Sequence, residues 1–272
     1  MPDLLGRWRA LKRRLPVVER LGGLIREPAY RVTDLLYRHR GLRQTLASGD
    51  RFCLHPRFIG WNLAAYEPDL MSSVAGTLRE GDVFLDVGAH VGLYSLVASV
   101  RVGLAGRVVA FEPSPASVSL LRRHLAWNGC ENVQVLEAAV SDTEGSALFT
   151  HRADPTDPGG CANSLAYEIE RGVRSSVRLR TLDSVCEELG ITPRLVKMDV
   201  EGAELAALRG AERVLRSCRP DLVVAVHPEP LRAMGGSPES LMAWMRSLGY
   251  RGTRLDGSPV AVPGFEEVWF RP

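Results

Sequence analysis

The chain has 272 residues, 45% hydrophobic and 24% charged, with 34 basic against 32 acidic side chains for a net charge of +2. That balance suits a globular protein with a full core, excludes a disordered chain, and is too mild to announce a nucleic-acid partner, so no DNA is expected. Cys53, Cys130, Cys161, Cys186 and Cys218 are odd in number and never spaced as CxxC, which excludes a zinc ribbon or a disulfide framework and agrees with a cytoplasmic protein.

At the N-terminus, Leu4, Trp8, Leu11 and Leu15 draw one apolar stripe on a helix whose other face is arginine and lysine. The same basic residues interrupt any signal peptide, and no apolar run approaches the roughly 18 residues that span a bilayer. Residues 1–50 read as an N-terminal helical extension whose stripe packs on the protein body or on a second copy of the chain; the alternative for such a basic amphipathic helix is an anionic membrane surface or phosphates. Residues 51–272 read as one further domain.

From Val83 onward, strands and helices alternate. "VFLDV" is a strand, followed by a helix from near Gly92; "RVVAFEP" is the next strand. Ser114 as N-cap and Pro115 at the first helical position then open a helix that Gly129 ends. "VQVLEAAVSD" reads as a third strand. "SALFTHR" and "SSVRLRTLDSV" read as two strands flanking a Pro/Gly-rich loop. "RLVKMDV" is a strand, "AELAALRGAERVLRS" a helix, "DLVVAVHP" a strand and "SPESLMAWMRSLG" a helix; "YRGTRLDG" and "EEVWFRP" close the chain as an antiparallel hairpin. This alternation predicts a doubly wound α/β fold, a mostly parallel sheet covered on both faces.

In such a fold ligands lie across the carboxyl ends of the strands. The stretch "DVGAHVG", Asp86 to Gly92, sits at the first of these ends. It lacks the G-x-G-x-x-G spacing of a dinucleotide site, and the Asp86 carboxylate would repel a pyrophosphate. It suits a ligand bearing an ammonium group and hydroxyls, and S-adenosylmethionine is such a ligand. Glu112, roughly two dozen residues beyond Gly88 at the end of the second strand, stands where an acidic side chain accepts ribose hydroxyls. Ser141 and Asp142, ending the third strand, are candidates for the adenine edge.

"DVGAHVGLYS", "FEPSP", "RTLDSV" and "LVKMDVEGAELAALRGA", in this chain order, closely resemble the FkbM family of S-adenosylmethionine-dependent methyltransferases over roughly Tyr66 to Tyr250. The resemblance implies the class I methyltransferase fold, a seven-stranded sheet, and O-methylation of natural products, sugars or glycan hydroxyls. It implies that Asp86, Gly88 and Gly92 surround the methionine end of the cofactor and that Glu112 holds its ribose. Two departures stand out. His90 replaces the family's usual asparagine, and Ala225 stands where many members carry an acid.

Methyl transfer to oxygen needs alignment and a proton acceptor at the same strand ends. "KMDVEGAE" offers Asp199 and Glu201 there, with Glu204 read as an acid of the first helical turn. "AVHPEP" offers His227 as general base. Asp199, His227 and Glu201 are alternatively a set that a divalent cation such as Mg2+ could use to acidify a diol, though the spacing does not demand a metal. Glu67 joins the cofactor contacts; Tyr66, Asn163 and Ser164 are candidate substrate contacts on covering segments. The leading expectation is an O-methyltransferase acting on a small-molecule hydroxyl of a glycoside, sugar or polyketide-type acceptor. The alternatives are an RNA or protein methyltransferase gripping its polymer with the basic extension, and a non-catalytic binding protein on a Rossmann-like fold.

Overall fold

The computed structural model describes residues 32, 35–37, 39–151, 154–156 and 172–272. The stripe from Leu4 to Leu15, and Asn163 and Ser164, lie outside the described residues. A hairpin comes first: β1 (Leu42–Thr45) pairs antiparallel with β2 (Arg51–Leu54). The segment read as helical through residue 50 thus already contains a strand. Gly49, at φ +83°, and the Leu46 N–H to Asp50 carbonyl bond turn the chain there.

After α1 (Pro68–Thr77), the main unit runs β3 (Val83–Val87), α2 (Leu93–Val102), β4 (Arg107–Phe111), α3 (Pro115–Asn128) and β5 (Val133–Leu136). As expected, Ser114 caps α3, accepting from the Ser117 N–H, and Gly129 ends it in the left-handed region. Asn128 of α3 bonds both backbone groups of Cys53 and so ties the first hairpin to the body.

The segment predicted as one third strand divides. β5 stays in the main sheet, while β6 (Ala139–Val140) joins a three-stranded sheet with β7 (Gly145–His151) and β8 (Val173–Arg180). β8 ends at Arg180, and the residues after it, read as strand, form α4 (Leu182–Leu189) because Thr181 caps it by accepting from the Ser184 N–H. β9 (Leu195–Met198) returns to the main sheet. The helix that follows is two pieces, α5 (Glu204–Arg209) and α6 (Glu212–Ser217). The break falls at Gly210, where a Cβ would lie 2.0 Å from the Ser141 carbonyl oxygen. β10 (Asp221–Val226), α7 (Pro228–Ala233), α8 (Pro238–Ser247), β11 (Arg251–Thr253) and β12 (Glu266–Arg271) complete the chain.

The main sheet has seven strands in the order β11-β12-β10-β9-β3-β4-β5. All neighbours from β10 to β5 are parallel, and β12 alone runs antiparallel between β10 and β11. Side chains alternate between faces along each strand. Leu85, Val87, Val196, Met198, Leu222 and Val224 pack beneath the helices of the C-terminal half, whereas Phe84, Val108, Ala110, Leu195, Val223 and Trp269 pack against α1, α2 and α3. This parity decides the site: Asp86, Glu112, Lys197, Asp199, His227 and Glu267 all fall in the second register, on the α1–α2–α3 face.

Candidate active site

At the carboxyl ends of β3, β4 and β9 lies an open cavity of about 880 Å3, solvent at its mouth included. That is ample for a nucleoside-sized ligand. Its apolar part is formed by Phe111, Pro113, Ala138, Ala139, Val140 and Phe149; its polar part includes Gly88, His90, Glu112, Lys197, Asp199 and Glu201.

Glu112 is buried, and its two carboxylate oxygens accept the backbone N–H groups of His90 at 2.8 Å and Ser114 at 2.9 Å. Burial pushes its carboxyl up to about 7 against the pull of those two donors. His90 turns back toward Glu112 because its backbone is left-handed, at φ +50°. Its Nε2 is buried with no hydrogen-bond partner among the described residues. Burial, aided by the Lys197 charge, holds the ring down at about 4, so it is neutral near pH 7.

Asp86 does not line this cavity. It is fully buried behind it, accepting from the Ser95 hydroxyl of α2 at 2.6 Å, with Oδ1 left unpartnered and its acidity suppressed by burial. Its cross-strand neighbour is Lys197. Gly92 is also set back: it starts α2 in the left-handed region, and a Cβ there would strike Leu121 at 2.1 Å, so its glycine is required by packing. Ser141 and Asp142 miss the cavity altogether. β6 turns the chain into the second sheet, where the Ser141 N–H bonds Arg180 and its carbonyl packs on Gly210, while Asp142 is exposed. The adenine-edge reading of these two residues therefore lacks the geometry it needs.

Two wall residues escaped the sequence reading. Lys197 is buried, with Nζ 3.4 Å from both the Gly88 carbonyl and Asp199 Oδ2 and 5.0 Å above the Tyr94 ring. Burial alone would strip its proton, but Asp199, Asp86 and Glu67 outweigh burial and keep it charged. Tyr94 donates its hydroxyl to Glu67 at 2.6 Å, and burial together with that carboxylate keeps the phenol protonated. Glu67 thus reaches the site through Tyr94 rather than by lining the cavity, whereas Tyr66 lines it directly. A lysine inside the apolar run "RLVKMDV" was the available signal for the first of these.

At the other end, the chain brings Asp199, Glu201 and His227 together. His227 Nε2 stands 3.7 Å from Asp199 Oδ1 and 3.6 Å from Glu201 Oε2, and Nδ1 stands 2.7 Å from Glu204 Oε1. Glu204, read from sequence as a helix-end acid, is wholly buried; the same oxygen also accepts the Gly202 N–H at 2.9 Å. It is therefore not a helix cap but the orienting partner of the imidazole, and it ties down the turn at Gly202 as well. Glu201 is held at φ +50°, and Gly202 after it at φ +108° packs so tightly on Pro230 that a Cβ would come within 2.6 Å. Burial pulls His227 down, but the Glu204 hydrogen bond and the charges of Glu201 and Asp199 prevail and lift it to about 9. Burial raises Glu201 to about 7, opposed by His227. Across the sheet, Glu267 is the register partner of Ala225, so the closing hairpin brings a carboxylate to that position.

The strand order, the reversed strand near one edge and a crevice ringed by carboxylates define a class I methyltransferase fold. A family model for the methyltransferase FkbM domain matches residues 86–251, well over half of the chain, and the chain belongs to that family of methyltransferases. Similar proteins include methyltransferase sdnD of Sordaria araneosa, 30% identical over half of this chain and 62% of its own length. The hexuronic acid methyltransferase AglP of Haloferax volcanii is 25% identical over 59% of this chain and 62% of its own. The 31-O-demethyl-FK506 methyltransferase FkbM of Streptomyces tacrolimicus is 30% identical over 50% and 61% respectively. The chain thus spans less than two thirds of the length of these curated relatives. Among solved structures, a methyltransferase FkbM from Methylobacillus flagellatus KT aligns over 90% of this chain and 58% of its own, at a TM-score of 0.47 and 17% identity. No helix among the described residues is long and apolar enough to cross a membrane.

Proposed function

We propose that the protein is an S-adenosylmethionine-dependent O-methyltransferase whose acceptor is a hydroxyl of a small, ring-bearing metabolite such as a sugar or polyketide. The observation that carries this reading is the pair of chemistries in one crevice. A deep cavity with an acid and an apolar slot lies beside a histidine clamped by a buried carboxylate. The relative named for 31-O-demethyl-FK506 supports an oxygen acceptor.

The wall fits the donor. Glu112 keeps acceptor capacity for ribose hydroxyls beyond the two N–H groups it already takes, since a carboxylate offers about four lone-pair sites. The Phe111, Pro113, Ala138 to Val140 and Phe149 slot suits an adenine, and charged Lys197 suits the carboxylate of the methionine end, with Asp86 behind it as counter-charge. When bound, S-adenosylmethionine supplies a methyl group on a cationic sulfur, which is poised for displacement. The protein's own part is to align the acceptor and take its proton. With Nδ1–H donating to Glu204, Nε2 of His227 is turned toward Asp199 and Glu201, where it accepts the proton of the acceptor hydroxyl. Asp199 and Glu201 fix that hydroxyl and stabilise the imidazolium that results.

Addition of S-adenosylhomocysteine at about a hundred times its Kd is expected to stabilise the protein by about 2.7 kcal/mol. Calorimetry should also show its affinity rising between pH 6 and pH 8, by at most about tenfold per pH unit, as Glu112 loses its proton near 7. Glu112→Ala should weaken binding and flatten that profile. A saturating dose that leaves the melting temperature unmoved would remove the reading.

A divalent cation is a second reading, favoured by one measurement: donor atoms of Asp199, Glu201 and His227 all lie within 4.8 Å of one another. Two carboxylate oxygens and one imidazole nitrogen, the latter held by Glu204, are a donor set that hard and borderline divalent ions accept. Such an ion would acidify the acceptor hydroxyl. Turnover that survives EDTA unchanged supports the metal-free base; loss of turnover restored by Mg2+ or Mn2+ supports the ion.

A further inference from the structure

Antiparallel β12 enters the sheet beside β10 with Val226 opposite Glu266 and Ala225 opposite Glu267. Because β12 runs backwards, its first residues arrive at the end of the sheet where β10 delivers His227. Phe265, immediately before β12, meets the His227 ring edge-on, with centroids 5.0 Å apart and planes at 70°. His227 is buried, yet Phe265 leaves 80% of itself exposed. Single exposed aromatics are ordinary on protein surfaces. This one is set against the imidazole at the reacting end, so an acceptor delivering a hydroxyl to Nε2 must pass close to it.

The charges around it are one-sided. Glu267 is half-buried, and burial with the nearby carboxylates of Glu67 and Asp199 keeps its own carboxyl above the usual range. Adding Glu201 and Glu204, five carboxyls from α1's start, the β9–α5 turn, α5 and β12 converge here, against two cations among the described residues, Lys197 and His227. Lys197 contacts Gly88 and Asp199 and is assigned above to the carboxylate of the donor's methionine end, so it is not open to the acceptor. An incoming anion would find no unclaimed cation in this group and several like charges.

We propose that the closing hairpin selects the acceptor: Phe265 is the platform on which an uncharged hydroxylated ring rests, and Glu267 with its neighbouring carboxylates turns away rings that carry a carboxylate or phosphate. This rests on the methyltransferase reading and narrows its substrate class. An aromatic face takes the C–H side of a sugar or macrocycle ring, while carboxylates around it accept the ring's hydroxyls.

The test compares near-isosteric probes that differ in charge, methyl β-D-glucuronamide against methyl β-D-glucuronoside, with release of S-adenosylhomocysteine as the readout. The neutral ring should be favoured in kcat/KM by about tenfold or more. Glu267→Gln should narrow that ratio. Phe265→Ala, at an exposed position where folding is not at stake, should raise KM for the neutral ring about tenfold, with a much smaller change in kcat. Phe265→Trp should restore it. Equal or better use of the uronate, a KM indifferent to Phe265→Ala, or methylation of neither ring by protein that binds S-adenosylhomocysteine would each overturn the proposal. Failure to bind S-adenosylhomocysteine would instead bring down the functional reading beneath it.

Discussion

Replacing His227 with alanine is expected to lower the methylation rate by about a hundredfold or more, with little change in the Kd for S-adenosylhomocysteine. The separation follows from position. His227 does not line the donor cavity, and its two nitrogens are committed to Glu204 on one side and to the Asp199–Glu201 corner on the other. The pH profile carries the finer test. With the imidazole lifted to about 9 in the metal-free enzyme, its proton-accepting form is scarce at neutral pH, so the rate should climb as pH rises toward 9. Glu204→Gln removes the leading influence that lifts it. The midpoint should then fall toward the ordinary histidine value of about 6.5, and the rate near pH 7 should depend on two opposing effects, more free base and a less firmly held ring. Initial rates from pH 6 to 10 at saturating donor measure both. An unchanged profile in Glu204→Gln would show that His227 is not the titrating base.

Glu204 also marks the limit of what the sequence displays. "KMDVEGAELAAL" announces acids at a strand end, and strand-end logic suffices to place Asp199 and Glu201 beside the donor. Sequence offers two roles for an acid in a first helical turn, and only the tertiary position of His227, 23 residues onward, distinguishes them. The mostly parallel α/β architecture was legible on more general grounds. Parallel strands separated by helices have few ways to assemble, and the β3, β4 and β9 ends had to share one crevice. Parity along each strand was equally available: Asp86 and Lys197 alternate with buried aliphatic residues, which forces them onto one face.

What stayed hidden depends on contacts between distant segments. Whether "VQVLEAAVSD" continues in one sheet or leaves for another is decided by β6 pairing with β8, some forty residues away, and that choice moves Ser141 and Asp142 off the site. The division of α5 from α6 at Gly210 has the same origin, because the obstructing atom belongs to Ser141. Phe265 and Glu267 carry no motif at all. Their place beside His227 and Ala225 comes from the antiparallel register of the last strand. A resemblance that ends near Tyr250 could not have reached them.

Gly88→Ala is expected to cost about 3 kcal/mol or more of folding stability. The residue sits at φ +79°, and a Cβ would lie 1.8 Å from the Asp199 carbonyl oxygen. Both sides of that contact are fixed. The Gly88 and Ala89 N–H groups bond the Phe111 carbonyl, and the Asp199 N–H bonds the Val87 carbonyl, so neither strand end can yield without losing hydrogen bonds. Relief would have to come from parting β3 from β9, which would also draw His90 and Glu112 away from Lys197 and Asp199. Loss of stability should therefore be accompanied by loss of donor affinity. Gly257→Ala is the control: φ is again positive, at +87°, but nothing lies within 4 Å of the added carbon. It should cost only about 1 kcal/mol, the ordinary penalty of a left-handed alanine. Urea unfolding of the two variants, read as midpoints at unchanged slope, measures the difference. Equal costs would mean that the approach of β9's end to Gly88 is looser than described, and with it the part of the donor-cavity wall that Gly88 and Asp199 form together.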